Sequence, residues 1–149
     1  MRLKDTPDYQ DADLVLRLYD LRREAVMREA RKALIAGWTP VTEAECLAVT
    51  APDHPLNAAF RQCTTYWEMA YGMIKHGIVH GDYMMESNGE GLLLFTRAEP
   101  WLAQLREKAG PFAFANAEWV ANHVERGKLV AARFRARQQA AMAKVAKAG

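Results

Sequence analysis

Leu56, Phe60, Cys63, Trp67, Ala70 and Ile74 recur at alternating spacings of four and three. That is the period of one helix face, held for more than two heptads, and it predicts an amphipathic helix over about 56–76, closed by Gly77. The same period runs through the other long segments. Leu14, Leu18, Leu21 and Ala25 form one stripe in a helix expected over about 11–36, capped by Asp11 or Asp13, whose short carboxylates accept first-turn N–H bonds. Val15, Tyr19, Val26 and Ala30 widen that stripe, which implies burial on more than one side. At 1.5 Å per residue this first helix would be roughly 40 Å long, enough to protrude or to pair with another chain.

Thr42-x-x-Glu45 fits a capping box ahead of a short helix, and Pro52 and Pro55 mark a connector. The stretch Gly77 to Gly91 is the least regular, with one or two helical turns at 82–86. A further helix is predicted over about 92–108, with Pro100 kinking or splitting it. After the Gly110-Pro111 stop, helices follow over about 112–126 and 128–146, with Gly127 between them. Phe60, Trp67, Ile74, Leu94, Trp101 and Trp119 are the expected core. Alternating strand patterns are absent. The fold class is therefore all-α: a single-domain bundle of five to seven helices, with a long first helix and a basic, Ala-rich last one. The bundle is expected over 1–127 and the basic helix or tail over 128–149.

Composition narrows the class. A chain of 149 residues, half hydrophobic and a quarter charged, is the size of one domain and can bury a core. Cys46 and Cys63 have no metal spacing, and their number implies no secreted disulfide framework. No apolar signal segment opens the chain, and its longest wholly apolar run, Leu92 to Phe95, is far short of a membrane span. The expectation is a soluble, cytoplasmic protein. Charge is uneven. Of the 20 Lys and Arg, six lie from Lys128 onward with no acidic residue among them, leaving 14 against 18 acidic residues elsewhere.

Candidate chemistry is sparse. His76 and His80 have helical ligand spacing with Asp82 nearby, but Gly77 and Gly81 interrupt the helix that would align them, and a metal needs three or four convergent ligands. Ser87, the lone serine, sits in turn chemistry. Gly89-Glu90-Gly91 lacks the lysine and the strand of a phosphate loop. Glu68 and Arg97 could form an inter-helix ion pair, or Glu68 could be plain surface. No catalytic residue, metal site or cofactor is assigned. Arg133, Arg135 and Arg137 on the last helix can hold phosphates, yet at 100° per residue they spread over about 200°.

Tyr66-Trp67-Glu68-Met69, Gly77-Ile78-Val79, Leu94-Phe95-Thr96-Arg97-Ala98-Glu99-Pro100-Trp101-Leu102 with Leu105-Arg106-Glu107, and Phe114-Ala115-Asn116-Ala117-Glu118-Trp119 resemble a family of small bacterial all-helical proteins that carry a domain of unknown function. The resemblance covers roughly 56–124. Many members carry an N-terminal membrane helix; here Arg17, Arg22, Arg23 and Arg28 make the first helix too charged to span a bilayer. The resemblance implies a helical fold and no catalytic residues.

The resulting expectation is an interaction or scaffold module; the residues lean against an enzyme, and one whose groups converge only in three dimensions stays open as a third reading. The module acts on a protein partner or as a homodimer, with contacts from Leu14, Leu18, Leu21 and the last helix. The alternative is a nucleic-acid-associated protein that uses Arg133, Arg135 and Arg137.

Overall fold

In the computed structural model, which describes residues 3–149, the first helix begins earlier than the sequence pattern indicates. Asp8 caps α1 (Tyr9–Arg23): its Oδ1 accepts from the N–H of Gln10 and Asp11. Asp11 sits at the third position and turns its own carboxylate back to the Asp8 N–H at 2.7 Å. Asp11 is thus one half of a capping box, not the cap. It is fully buried, where Lys4 Nζ lies 3.0 Å away and the His80 N–H donates to it.

The helix expected over 11–36 is two helices. Glu24 adopts extended backbone (φ −56°, ψ 144°) between α1 and α2 (Ala25–Gly37). The physical reason lies in the phase of the apolar residues. Leu18 and Met27 are both core residues, and nine positions on one unbroken helix would set them about 180° apart. Breaking the helix at Glu24 lets both face inward.

The short α3 (Glu43–Ala48) starts as expected, with the Thr42 hydroxyl accepting from the Glu45 N–H. The Glu45 carboxylate reaches Val41 N rather than Thr42 N. The aromatic helix, α4 (Asn57–Lys75), runs through the middle of the bundle and packs against α2, α6 (Glu90–Ala98) and α8 (Ala115–His123). Its buried face holds Phe60, Cys63, Trp67, Ala70, Tyr71 and Ile74. Between α4 and α6 lies α5 (Gly81–Met85), capped by His80. Pro100 splits the next segment as expected: α6 passes through a 3-10 turn, Glu99–Trp101, into α7 (Leu102–Ala109).

Two boundaries differ near the end. α8 starts at Ala115, because Phe114 takes a left-handed conformation (φ 58°) that no helix continues through. The last helix, α9 (Glu125–Ala148), begins after extended backbone at Val124 and runs through Gly127. Gly127 is not a break. It is buried against α8, and a Cβ there would lie 2.6 Å from the Val120 carbonyl oxygen. Nine α-helices therefore stand among the described residues, and none of the described residues forms a strand. The excess over five to seven comes from the break at Glu24, the split at Pro100 and the independent α5.

One polar cluster crosses the core. The Tyr71 hydroxyl donates to the Asn88 carbonyl at 2.7 Å, Arg22 Nη1 donates to Asn88 Oδ1, and Asn88 Nδ2 donates to the Met84 carbonyl. The Arg22 guanidinium lies 5.5 Å from the Trp67 ring centre, a cation–π contact. Arg31 grips Glu90 with two bonds of 2.8 Å. Gly91 makes this packing possible: a Cβ there would lie 2.6 Å from the Tyr71 ring. The Gly89-Glu90-Gly91 sequence is thus a close-approach element. Phe60, Trp67, Ile74 and Leu94 are buried, whereas Trp101, in the turn that Pro100 imposes, and Trp119, on α8, are half-buried against the edge of the core.

Candidate functional site

The opposite face of α4 is open. Arg61, Thr64, Thr65 and Glu68 share it, and with Thr50, Asn57, Phe60 and the loop Gly110–Phe114 they line a groove of about 400 Å³ with mostly apolar walls. Its floor is aromatic. Phe60 and Phe114 meet edge-on at 6.2 Å between ring centres, and Phe114 also touches Phe95 at 6.1 Å.

The loop wall is held under backbone strain. Gly110 has φ 105°, which glycine adopts freely; Phe114 has φ 58°, which a bulky residue adopts only when its surroundings impose it. Two features impose it here. The Phe114 ring is buried, and Glu68 clamps the start of α8, its carboxylate accepting from the N–H of Asn116 (2.7 Å) and Ala117 (2.9 Å). Asn116 Nδ2 returns a bond to the Glu68 carbonyl. Burial pushes the Glu68 carboxyl above its ordinary value, and the two backbone N–H groups only partly oppose this. The loop apex, Phe112, is 81% exposed beside the groove.

Glu68 and Arg97 do not pair. Arg97 caps the end of α2, donating to the carbonyls of Ile35 and Trp38 at 2.9 and 2.8 Å. Both partners have backbone duties that residue spacing does not reveal.

The structure separates the other residues singled out in the sequence. Leu18 lies in the core, 2% exposed, and its carbonyl accepts from the Tyr66 hydroxyl. Leu14 is half-buried against the same core, and of the three leucines only Leu21 offers open surface, at 43%. Besides Leu21, the exposed apolar residues of α1 are Tyr9, Leu16 and Tyr19. On α9, Arg135 is taken up by two 2.7 Å bonds to Glu99, Arg137 lies over the Phe134 ring, and Arg133 lines a shallow depression with Asp82 and Glu125. Arg133 and Arg137, one helical turn apart, share a side of α9, and Arg135 is drawn away from them to Glu99.

His80 is spent on the Tyr83 N–H, and Asp82 on the Arg126 N–H. Among the described residues no three His, Cys, Asp or Glu side chains are placed to hold a metal ion. Cys46 and Cys63 are free and buried, and burial pushes both thiols up to about 12, where the reactive thiolate is scarce. No helix of the described residues is long and apolar enough to cross a membrane.

Spacing of apolar residues did not single out the groove, because three of its wall residues, Arg61, Thr64 and Thr65, read as ordinary helix surface. The available signal was Gly110-Pro111-Phe112: an aromatic placed directly after a stop, where no helix could bury it.

No curated protein and no solved structure matches the chain significantly. Residues 7–124 match the model of a family described as a domain of unknown function, DUF4760. The match includes α1 to α3, beyond the 56–124 in which the resemblance was visible, and it spans every residue that lines the groove. It ends at Val124, the residue that caps α9. Covering most of the chain, it shows that the chain belongs to the DUF4760 family.

Proposed function

We propose that this chain is a non-catalytic helical interaction module whose recognition surface is the groove between α4 and the Gly110–Phe114 loop. The observation that carries this reading is Phe112, 81% exposed at the apex of a strained, clamped loop beside an aromatic-floored groove. An exposed phenyl gains about 25 cal/mol for each Å² of apolar surface removed from water, so a partner that covers it is stabilised in proportion. The clamp on α8 lowers the ordering cost, because the loop is already fixed before a partner arrives.

The nucleic-acid reading of α9 has less support. Its three central arginines point to separate neighbours, and one is committed to Glu99. Phosphate recognition gains from cations that neutralise one contiguous stretch of backbone.

The test is in-cell photocrosslinking with a photoreactive phenylalanine analogue at position 112, and at Val145 on α9 as the control. The module reading expects discrete adducts from position 112, several-fold above those from position 145. Equal, diffuse labelling at both positions, or none at either, overturns it.

A further inference from the structure

We propose that the occupant of the groove is a second copy of this chain, related by a two-fold axis that passes between Thr64 and Thr65. This inference rests on the interaction-module reading above. Arg61 and Glu68 both line the groove. They stand two helical turns apart, roughly 10 Å along the α4 axis and within about 20° of one another around it. The midpoint between them falls between Thr64 and Thr65. A two-fold axis at that point runs the two α4 helices antiparallel and sets Arg61 of each copy against Glu68 of the other.

Both groups are suited to that meeting. Among the described residues, neither Arg61 nor Glu68 has an ion-pair partner in its own chain. The Glu68 carboxylate is half-buried and held by two backbone N–H groups, and each oxygen keeps acceptor capacity. A cation brought to it offsets the cost of keeping that charge out of water.

The middle of the face suits close approach. The Thr64 and Thr65 hydroxyls turn back onto their own helix, donating to the carbonyls of Phe60 and Arg61 at 2.7 Å each. Their donors are already used, so covering them strands no hydrogen bond.

Shape leads to the same partner. A two-fold interface needs a surface complementary to itself, with knob and hole on one patch. Phe112 is such a knob, and it stands on the rim of the hole. A small amphipathic ligand would suit a groove of about 400 Å³, but it would fill the hole and leave the knob and Arg61 without a partner. The rival apolar face, Tyr9, Leu16 and Tyr19 on α1, is one side of a single helix, with Arg22 and Arg23 lying over the Tyr19 ring.

The proposal is tested by sedimentation equilibrium of the full chain, with a cysteine crosslink as the second measurement. A concentration-dependent dimer is expected. Phe112→Asp and Arg61→Glu should each raise its Kd by about tenfold or more, with circular dichroism unchanged and urea melts unchanged at concentrations where the chain is monomeric, while Leu16→Asp leaves the Kd unaltered. Thr65→Cys treated with a short bismaleimide should give a covalent dimer, with Val145→Cys giving about a tenth as much under the same conditions. The native thiols do not compete, because both are buried.

A monomer up to about 100 µM overturns the proposal. So does a dimer that is insensitive to both groove variants, or one lost in Leu16→Asp. A monomer that still gives discrete adducts from position 112 overturns the second copy but leaves the interaction module standing. A monomer with no adducts removes both.

Discussion

The two faces of α4 are made of different material and do opposite work. The inner face carries Phe60, Trp67, Tyr71 and Ile74 in a packed interior whose polar atoms largely find partners, Tyr71 and Asn88 among them. The outer face carries Arg61, Thr64, Thr65 and Glu68 against a groove, with an unmatched arginine at one end. The inner face is specified by volume. A single Cβ at Gly91 has no room there. The outer face is specified by what it leaves open, and the only strained non-glycine backbone among the described residues, at Phe114, lies beside it. The contrast separates residues that make the fold from residues available for recognition, and substitution at each face should therefore read out differently.

The largest effect belongs to the inner face. Trp67→Ala should cost about 3–5 kcal/mol, since it removes a buried indole ring and leaves a cavity between Tyr66 and Tyr71. It also removes the face on which the Arg22 guanidinium rests. Urea melts measure this, and a loss below about 1 kcal/mol would mean that the inner face is not the packed one.

Next comes overpacking. Gly91→Ala should destabilise by about 1–3 kcal/mol, because its Cβ would lie 2.6 Å from the Tyr71 ring and 2.8 Å from the Trp67 Cβ. Neither neighbour is the flexible end of a side chain. A neutral result in the same melts would show that the ring of Tyr71 has room to move.

These inner-face residues were legible in the sequence, and the reason is periodicity. A buried face must repeat every three or four residues, so Phe60, Cys63, Trp67, Ala70 and Ile74 identify themselves. The Pro100 split was legible as well, because proline lacks the N–H that a helix needs. The Glu24 break was legible in principle: Leu18 and Met27 cannot both face a core from one straight helix. The break is masked locally, because the stripe Leu14, Leu18, Leu21 and Ala25 keeps helical spacing straight across it. Gly127 misled in the other direction, since glycine marks close helix contact as readily as a helix end. The groove was mostly illegible. Its walls come from α4 and from a loop more than 40 residues later in the chain, and the clamp joining them is a carboxylate bonding backbone N–H groups, which leaves no residue-type signature.

The clamp yields a pH-dependent prediction of intermediate size. The folded state holds the Glu68 carboxyl above its ordinary value of 4.5, chiefly through burial. Above that value the unfolded chain gives up the proton first. Stability from this group is therefore complete at pH below the unfolded value and declines as pH rises through the folded one. Glu68→Gln cannot titrate. The stability of the native chain relative to the Gln variant should fall as pH rises from about 4 to 7, followed by urea melts at each pH. A relative stability that instead rises over this window would mean that the two N–H bonds outweigh burial, and that the clamp is stronger than its position implies.

The smallest effect belongs to the outer face and sharpens the contrast most. Thr65 is exposed, and its hydroxyl bonds the Arg61 carbonyl of its own helix. Such back-bonding adds little to a helix, and Thr is a poorer helix former than Ala. Thr65→Ala should therefore leave monomer stability within about 0.5 kcal/mol of the native chain, on the stabilising side. The melts belong at the lowest protein concentration that gives signal, where association contributes nothing. A loss above about 1 kcal/mol would place Thr65 among the residues that make the fold, and the division between the faces of α4 would fail. A neutral or stabilising result leaves Thr65 without a role in the folded monomer. Its hydroxyl would then be free to lie at the proposed two-fold axis without cost to the fold.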